Sequence, residues 1–180
     1  MTQRPGFLRS EGGASAVEFA LLVPIMLVLL GVMLDFGFNL IMRFSVTQAV
    51  SVSSNYAVVN GDSVSASGGA SLAQSLATLV PAEIDVTITV NNGPSLTRTS
   101  GAVATSGTAS NADICYCPST SGGAINWGTS VGCGTACPSG GGFAGKYVAI
   151  SARQMYTPMF GVLGISRAGW ISASALVQAQ

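Results

Sequence analysis

The stretch Gly12-Gly13-Ala14-Ser15-Ala16-Val17-Glu18-Phe19-Ala20-Leu21-Leu22-Val23-Pro24, continued by Ile25 to Leu34 and ended by Asp35, decides how this chain is read. Ala14 to Leu34 is 21 residues with one charge, Glu18, and Phe19 to Leu34 is 16 uncharged residues in a row. A helix of about 20 mainly apolar residues crosses the hydrocarbon core of a bilayer, so residues 14–35 are expected to form a transmembrane helix. Arg4 and Arg9 precede the span, while Asp35 and then Arg43 follow it. The distribution of Lys and Arg therefore puts the N-terminus in the cytoplasm and the remainder outside. A secretory signal peptide carries its small-residue cleavage site after the apolar core. Here Asp35-Phe36-Gly37-Phe38-Asn39 stands at that place, and the small residues Gly12 to Ala16 stand before the core. A cut among them would leave the apolar segment on the mature chain.

Glu18 is the informative residue. A carboxylate in an apolar helix costs about 2.5–3.5 kcal/mol near the bilayer centre and less near an interface. Two readings account for it. The side chain snorkels to the headgroups, or it awaits a positive partner inside a protein assembly. Cleavage after Gly13 would create such a partner, because the new α-amino group of Ala14 is cationic at neutral pH. Glu18 of one subunit would then neutralise the terminal amine of its neighbour.

The order Gly13, four residues, Glu18 and then an aromatic, Phe19, resembles the processing site of type IV pilin-like proteins. The longer run from Gly12 to Pro24, with Asp35-Phe36-Gly37 beyond the span, resembles the TadE-type pseudopilins of tight-adherence (Tad, Flp) pilus systems. That family often has an Arg-containing, Ala-rich helix next, whereas Val46 to Asn55 here contains no Arg. The resemblance implies a cytoplasmic leader, residues 1–13, removed by a prepilin peptidase between Gly13 and Ala14. It implies that Glu18 and Phe19 serve processing or assembly. The partners it implies are that peptidase, other pilins and pseudopilins of the same system, the inner-membrane assembly platform and membrane lipid. The location it implies is the bacterial inner membrane, crossed once, with the C-terminal part periplasmic or carried into an extracellular pilus.

Two further features of the span follow from backbone chemistry. Pro24 lacks the N–H that would bond near Ala20 and crowds the preceding turn, so a kink is expected there. Gly31 and Gly37 offer places for close approach of a neighbouring helix, although their spacing is not GxxxG.

Beyond Asp35 the helical pattern continues through Phe38, Ile41, Met42, Ser45, Val46, Ala49 and Val50. Asn60-Gly61-Asp62 is a stop signal. Residues 36–60 are therefore expected to continue the helix outside the membrane, giving a rod of about 69 Å from Ala14 to Val59 at 1.5 Å per residue. Residues 61–180 are expected to form an exported head. Within it, Leu72, Leu76, Leu79 and Val80 mark an amphipathic helix over 69–80. Ile84, Val86, Ile88 and Val90 alternate with polar residues as a half-buried strand, and Asn91-Asn92-Gly93-Pro94 is a turn. Tyr147 to Tyr156 and Gly169 to Val177 are further strand candidates. Between them Met159, Phe160, Val162 and Leu163, broken by Pro158, Gly161 and Gly164, are expected to pack as a loop under the sheet. The order of elements predicts an α+β, pilin-like fold, with a small antiparallel sheet against the long helix.

Residues 100–145 hold 11 of the 23 glycines, a single charge at Asp113, and all four cysteines, Cys115, Cys117, Cys133 and Cys137. The cysteine spacing fits zinc ligation poorly, and an exported location is oxidising, so disulfides are expected. A Cys115–Cys117 ring would be very tight. Each is therefore expected to join one of Cys133 and Cys137, in either combination, closing loops worth on the order of 3 kcal/mol in the chain-entropy model. Tyr116, Trp127 and Phe143 among the glycines would form a small satellite core or an exposed contact surface.

Composition narrows the function. Charged residues are 8% of the chain, the formal net charge is zero, and there is no His. A soluble domain carries roughly 25% charge, and without a basic excess there is little to neutralise phosphates, so no nucleic-acid partner is expected. The absence of His removes the usual general base and the Ser-His and Cys-His pairs. Glu83 and Asp85, two apart on one strand face, are explained by a polar face. No enzyme activity, cofactor or metal is expected. The leading reading is a minor pilin or pseudopilin, needed for assembly, tip or priming of the pilus and hence for surface adherence. The alternative is a membrane-anchored periplasmic binding or adhesin module that never enters a pilus.

Overall fold

In the computed structural model, residues 12–121, 124–138, 142–161 and 167–179 are described. The expected leader lies outside them up to residue 11, as do Val162, Leu163 and Gly164. A helix, α1, spans Gly12–Val59 and runs through Pro24. By internal contacts the chain divides into two units, Met1–Asn39 with Thr157–Ala168, and Leu40–Tyr156 with Gly169–Gln180.

The second unit is the α+β head. A second helix, α2, spans Gly69–Thr78 and buries Leu72, Ala73, Leu76 and Ala77. Strands β1 (Asp85–Val90), β2 (Ser95–Thr99) and β3 (Ala102–Ser106) are followed by the short β4 (Cys115–Tyr116), β5 (Ser119–Ser121), β6 (Ala124–Asn126) and β7 (Ser130–Val131). The long β8 (Tyr147–Tyr156) and β9 (Gly169–Gln178) complete the set. The main sheet has the order β3-β2-β1-β8-β9 and is antiparallel throughout. Cross-strand pairing aligns Leu96, Ile88, Ile150 and Ala175 in one row. Such rows stabilise a sheet through direct side-chain contact. They form one core with Leu72 and Leu76 of α2 and with Val46, Ala49, Val50 and Ala57 of α1.

Two polar residues tie this core together. Arg98 pairs in register with Val86, so its side chain leaves the face that meets α2. Its guanidinium donates to the carbonyls of Ala77, Val80, Pro81 and Ile84 at 2.9, 2.9, 2.6 and 3.1 Å. A cation there satisfies the Ala77 carbonyl in the last turn of α2 and three carbonyls of the turn that follows, and complements the helix dipole. Asn91, fully buried at φ 50°, sits in the β1–β2 turn. Its amide donates to the carbonyls of Asn111, Ala112 and Ile114, and its Oδ1 accepts from the Tyr147 N–H at 3.1 Å. Asn tolerates the left-handed backbone better than most residues, and the side chain here pins the cysteine-bearing region to the start of β8.

Disulfides join Cys115 to Cys133 and Cys117 to Cys137, with Cα–Cα distances of 5.2 and 5.6 Å. Each early cysteine thus joins a late one, as the spacing led us to expect. Within this region Tyr116 is buried and meets Trp127 edge-on at 6.1 Å, whereas Phe143 is exposed. The satellite core therefore holds two of the three aromatics. The glycine-rich stretch is more ordered at its start than a loop, because Ala102–Ser106 is an edge strand. Gly107, at φ +89°, follows it, and a Cβ there would overlap the Gly93 carbonyl. The carboxylates also differ from expectation. Glu83 lies in a turn before β1, while Asp85 opens the strand, accepts from the Ser100 N–H at 2.9 Å and meets Arg153 at 3.6 Å.

Candidate functional site

The first half of α1 is rich in Leu, Met and Ala, good helix formers. Among the described residues, no 3.6-periodic set of buried apolar side chains runs along it. Phe19, Leu21, Ile25, Met26, Leu27, Leu29, Leu30 and Met33 are all exposed, on every side of the helix. A helix apolar all round belongs in lipid or among other helices. The segment is long and apolar enough to cross a membrane, and so is compatible with a single-pass membrane anchor.

Along this rod the candidate residues fall in order. Gly13 and Ala14 are in the first turn of the helix, and Glu18 is exposed one turn beyond Ala14. Positions four apart share a helix face, so Glu18 stands one turn above Ala14 on α1. Phe19 beside it is 66% exposed. Pro24 is the one proline in α1.

At the other end of the apolar run the structure brings together residues that the sequence did not connect. Asp35 is buried, 4% exposed. Its carboxylate accepts from the backbone N–H of Met159 at 2.9 Å and of Phe160 at 3.1 Å. One turn back, the Phe160 ring lies on Gly31, where an added Cβ would come within 3.1 Å of it. Thr157–Gly161, the described start of the β8–β9 connection, thus belongs with the first half of α1, in contrast to the packing under the sheet expected of Met159 and Phe160. The reason is electrostatic and steric. A buried carboxylate is costly unless hydrogen-bonded, two adjacent backbone donors satisfy it, and the missing side chain at Gly31 leaves room for the ring. Gly31 therefore accommodates a side chain of its own chain, whereas nothing lies within 4 Å of the Cβ position at Gly37. The sequence signal for this site was a lone Asp ending an apolar run, which names no partner.

Among the described residues there is no group of three or more His, Cys, Asp or Glu arranged to hold a metal ion. The four sulfurs are in disulfides.

No curated protein and no solved structure matches the chain. Residues 13–54 match the family model described as TadE-like protein. That segment contains Glu18, Phe19, Pro24, Gly31 and Asp35, and over it the chain is similar to TadE-like proteins, which supports a pilin-like protein associated with the Tad pilus system.

Proposed function

We propose that this protein is a minor pilin or pseudopilin of a Tad-type pilus, processed by a prepilin peptidase between Gly13 and Ala14 and required for assembly. It waits in the inner membrane, with its N-terminus cytoplasmic and its head periplasmic. The observation that carries the reading is the conjunction of Glu18 with an apolar helix whose large side chains from Phe19 to Met33 stand exposed. Lipid offers such a helix no strong reason to associate, so charge complementarity supplies direction. The carboxylate of Glu18 pairs with the terminal amine of Ala14 on an adjacent pilin, and the exposed apolar side chains fill the filament core. Other pilins and the assembly platform are the corresponding partners. A tip or priming position, and through it surface adherence, fits a chain whose head is stapled by two disulfides.

The test is to replace Glu18 by Gln and by Ala in cells that assemble the pilus. Both variants are expected to remain in the membrane and to lose incorporation or pilus formation. Full piliation by the Glu18→Ala variant would overturn the proposal and leave a plain membrane-anchored binding module.

A further inference from the structure

The contact between Asp35 and the β8–β9 connection has a consequence for how the protein meets the bilayer. Ala16 to Asp35 is 20 residues, about 30 Å of helix, the thickness of the hydrocarbon core. Asp35 then marks the outer edge of that core. Gly31 lies one turn inside it, about 6 Å deeper, and there the Phe160 ring rests. That depth is typical of apolar side chains on interfacial elements, which sit about 5–10 Å into the boundary. Met159, beside Phe160, is 71% exposed. From Pro158 to Ile165 the sequence carries no charge, and Arg167 follows as a basic flank suited to anionic headgroups.

We propose that the segment Thr157–Gly161 is a second membrane contact, lying in the outer interfacial layer of the phospholipid bilayer with Met159 and Phe160 against the acyl chains. Asp35 is its positioning residue. A loop entering lipid leaves backbone N–H groups without water, at a cost of several kcal/mol each. Asp35 accepts from two of them, and they in turn satisfy the carboxylate where the helix leaves the core. Leu27, Leu30, Met33 and Leu34, all within four residues of Gly31 on α1, are exposed as well. The proposal rests on α1 being a membrane anchor.

The two can be tested together and told apart. The full chain, with Trp127→Phe and Trp170→Phe, is reconstituted in phosphatidylethanolamine–phosphatidylglycerol vesicles containing lipid brominated near the headgroup end of its acyl chains. A single tryptophan is introduced by Met159→Trp, or by Leu27→Trp as the reporter of the anchor. Both are expected to be quenched. Adding Asp35→Ala or the isosteric Asp35→Asn to Met159→Trp is expected to abolish its quenching while Leu27→Trp in the same backgrounds stays quenched. Quenching of Leu27→Trp without quenching of Met159→Trp overturns the loop contact alone and leaves that face to another subunit. Failure of Leu27→Trp to quench overturns the anchor and the loop contact with it. Quenching of Met159→Trp that survives both Asp35 variants overturns the role of Asp35.

Discussion

The two halves of α1 are made from similar residues and meet different surroundings. Between Val17 and Leu34 the large apolar side chains are mostly exposed, with Leu21 at 70% and Met33 at 68%. Between Val46 and Ala57, Val46 and Ala57 are fully buried, and Ala49 and Val50 nearly so. The second half keeps a helical period because the sheet covers one side of it, and Thr47, Gln48, Ser51 and Asn55 are exposed on the other. The first half has no such period, and its large apolar side chains are exposed on all sides. One continuous helix thus carries two patterns, and the change in patterning, more than any change in apolar content, marks where the covered half begins.

That comparison can be broken most sharply with paired truncations. Leu76→Ala, at a fully buried site, should destabilise the head by about 2–5 kcal/mol, read as a lower midpoint in denaturant with the chain in detergent. Leu27→Ala in the exposed half should change that midpoint by less than about 0.5 kcal/mol. Equal effects would mean that the first half packs on the head. The disulfides come next. Replacing Cys115 and Cys133 together by Ala should cost about 3 kcal/mol in the chain-entropy model and open residues 115–137 to limited proteolysis, without changing membrane retention.

Arg98→Leu should cost about 2 kcal/mol, since hydrogen bonds from a charged donor are worth about 1.5–3 kcal/mol. Hydrogen exchange should then be fastest at the end of α2 and in the turn after it, where Arg98 holds the Ala77 and Val80 carbonyls. The smallest effect is expected at Arg153, which is about half exposed, 3.6 Å from Asp85 and 4.6 Å from the Trp170 ring centroid. Arg153→Ala should shift head stability by about 0.5–1 kcal/mol, seen as a small change in thermal midpoint.

The parts legible in the sequence are those whose burial is periodic. β1 alternates Val86, Ile88 and Val90 inward, α2 repeats Leu72 and Leu76, and β8 and β9 carry enough β-branched and aromatic residues to stand out. β2 and β3 were not legible. Ser95-Leu96-Thr97-Arg98-Thr99 has one buried apolar residue, and Ala102 to Ser106 has none. Their strand character comes from register set by the Asn91–Pro94 turn, a tertiary cause that leaves little pattern. The N-terminal site was legible as a motif because Glu18 violates an otherwise apolar run. Asp35 violates nothing, since it merely ends the run, and its partners lie 124 and 125 residues away along the chain. A long-range pair of this kind is visible only once the chain is folded. The two cysteine pairings were equivalent by spacing, and the short β4–β7 ladder, which places Cys115 opposite Val131, separates them.

The most direct measurement is the intact mass of the chain extracted from membranes of cells with and without the prepilin peptidase. A mature form beginning at Ala14, present only with the peptidase and lost in Gly13→Ala, is the predicted result. A chain that keeps Met1 in both strains while the pilus still assembles would contradict the account.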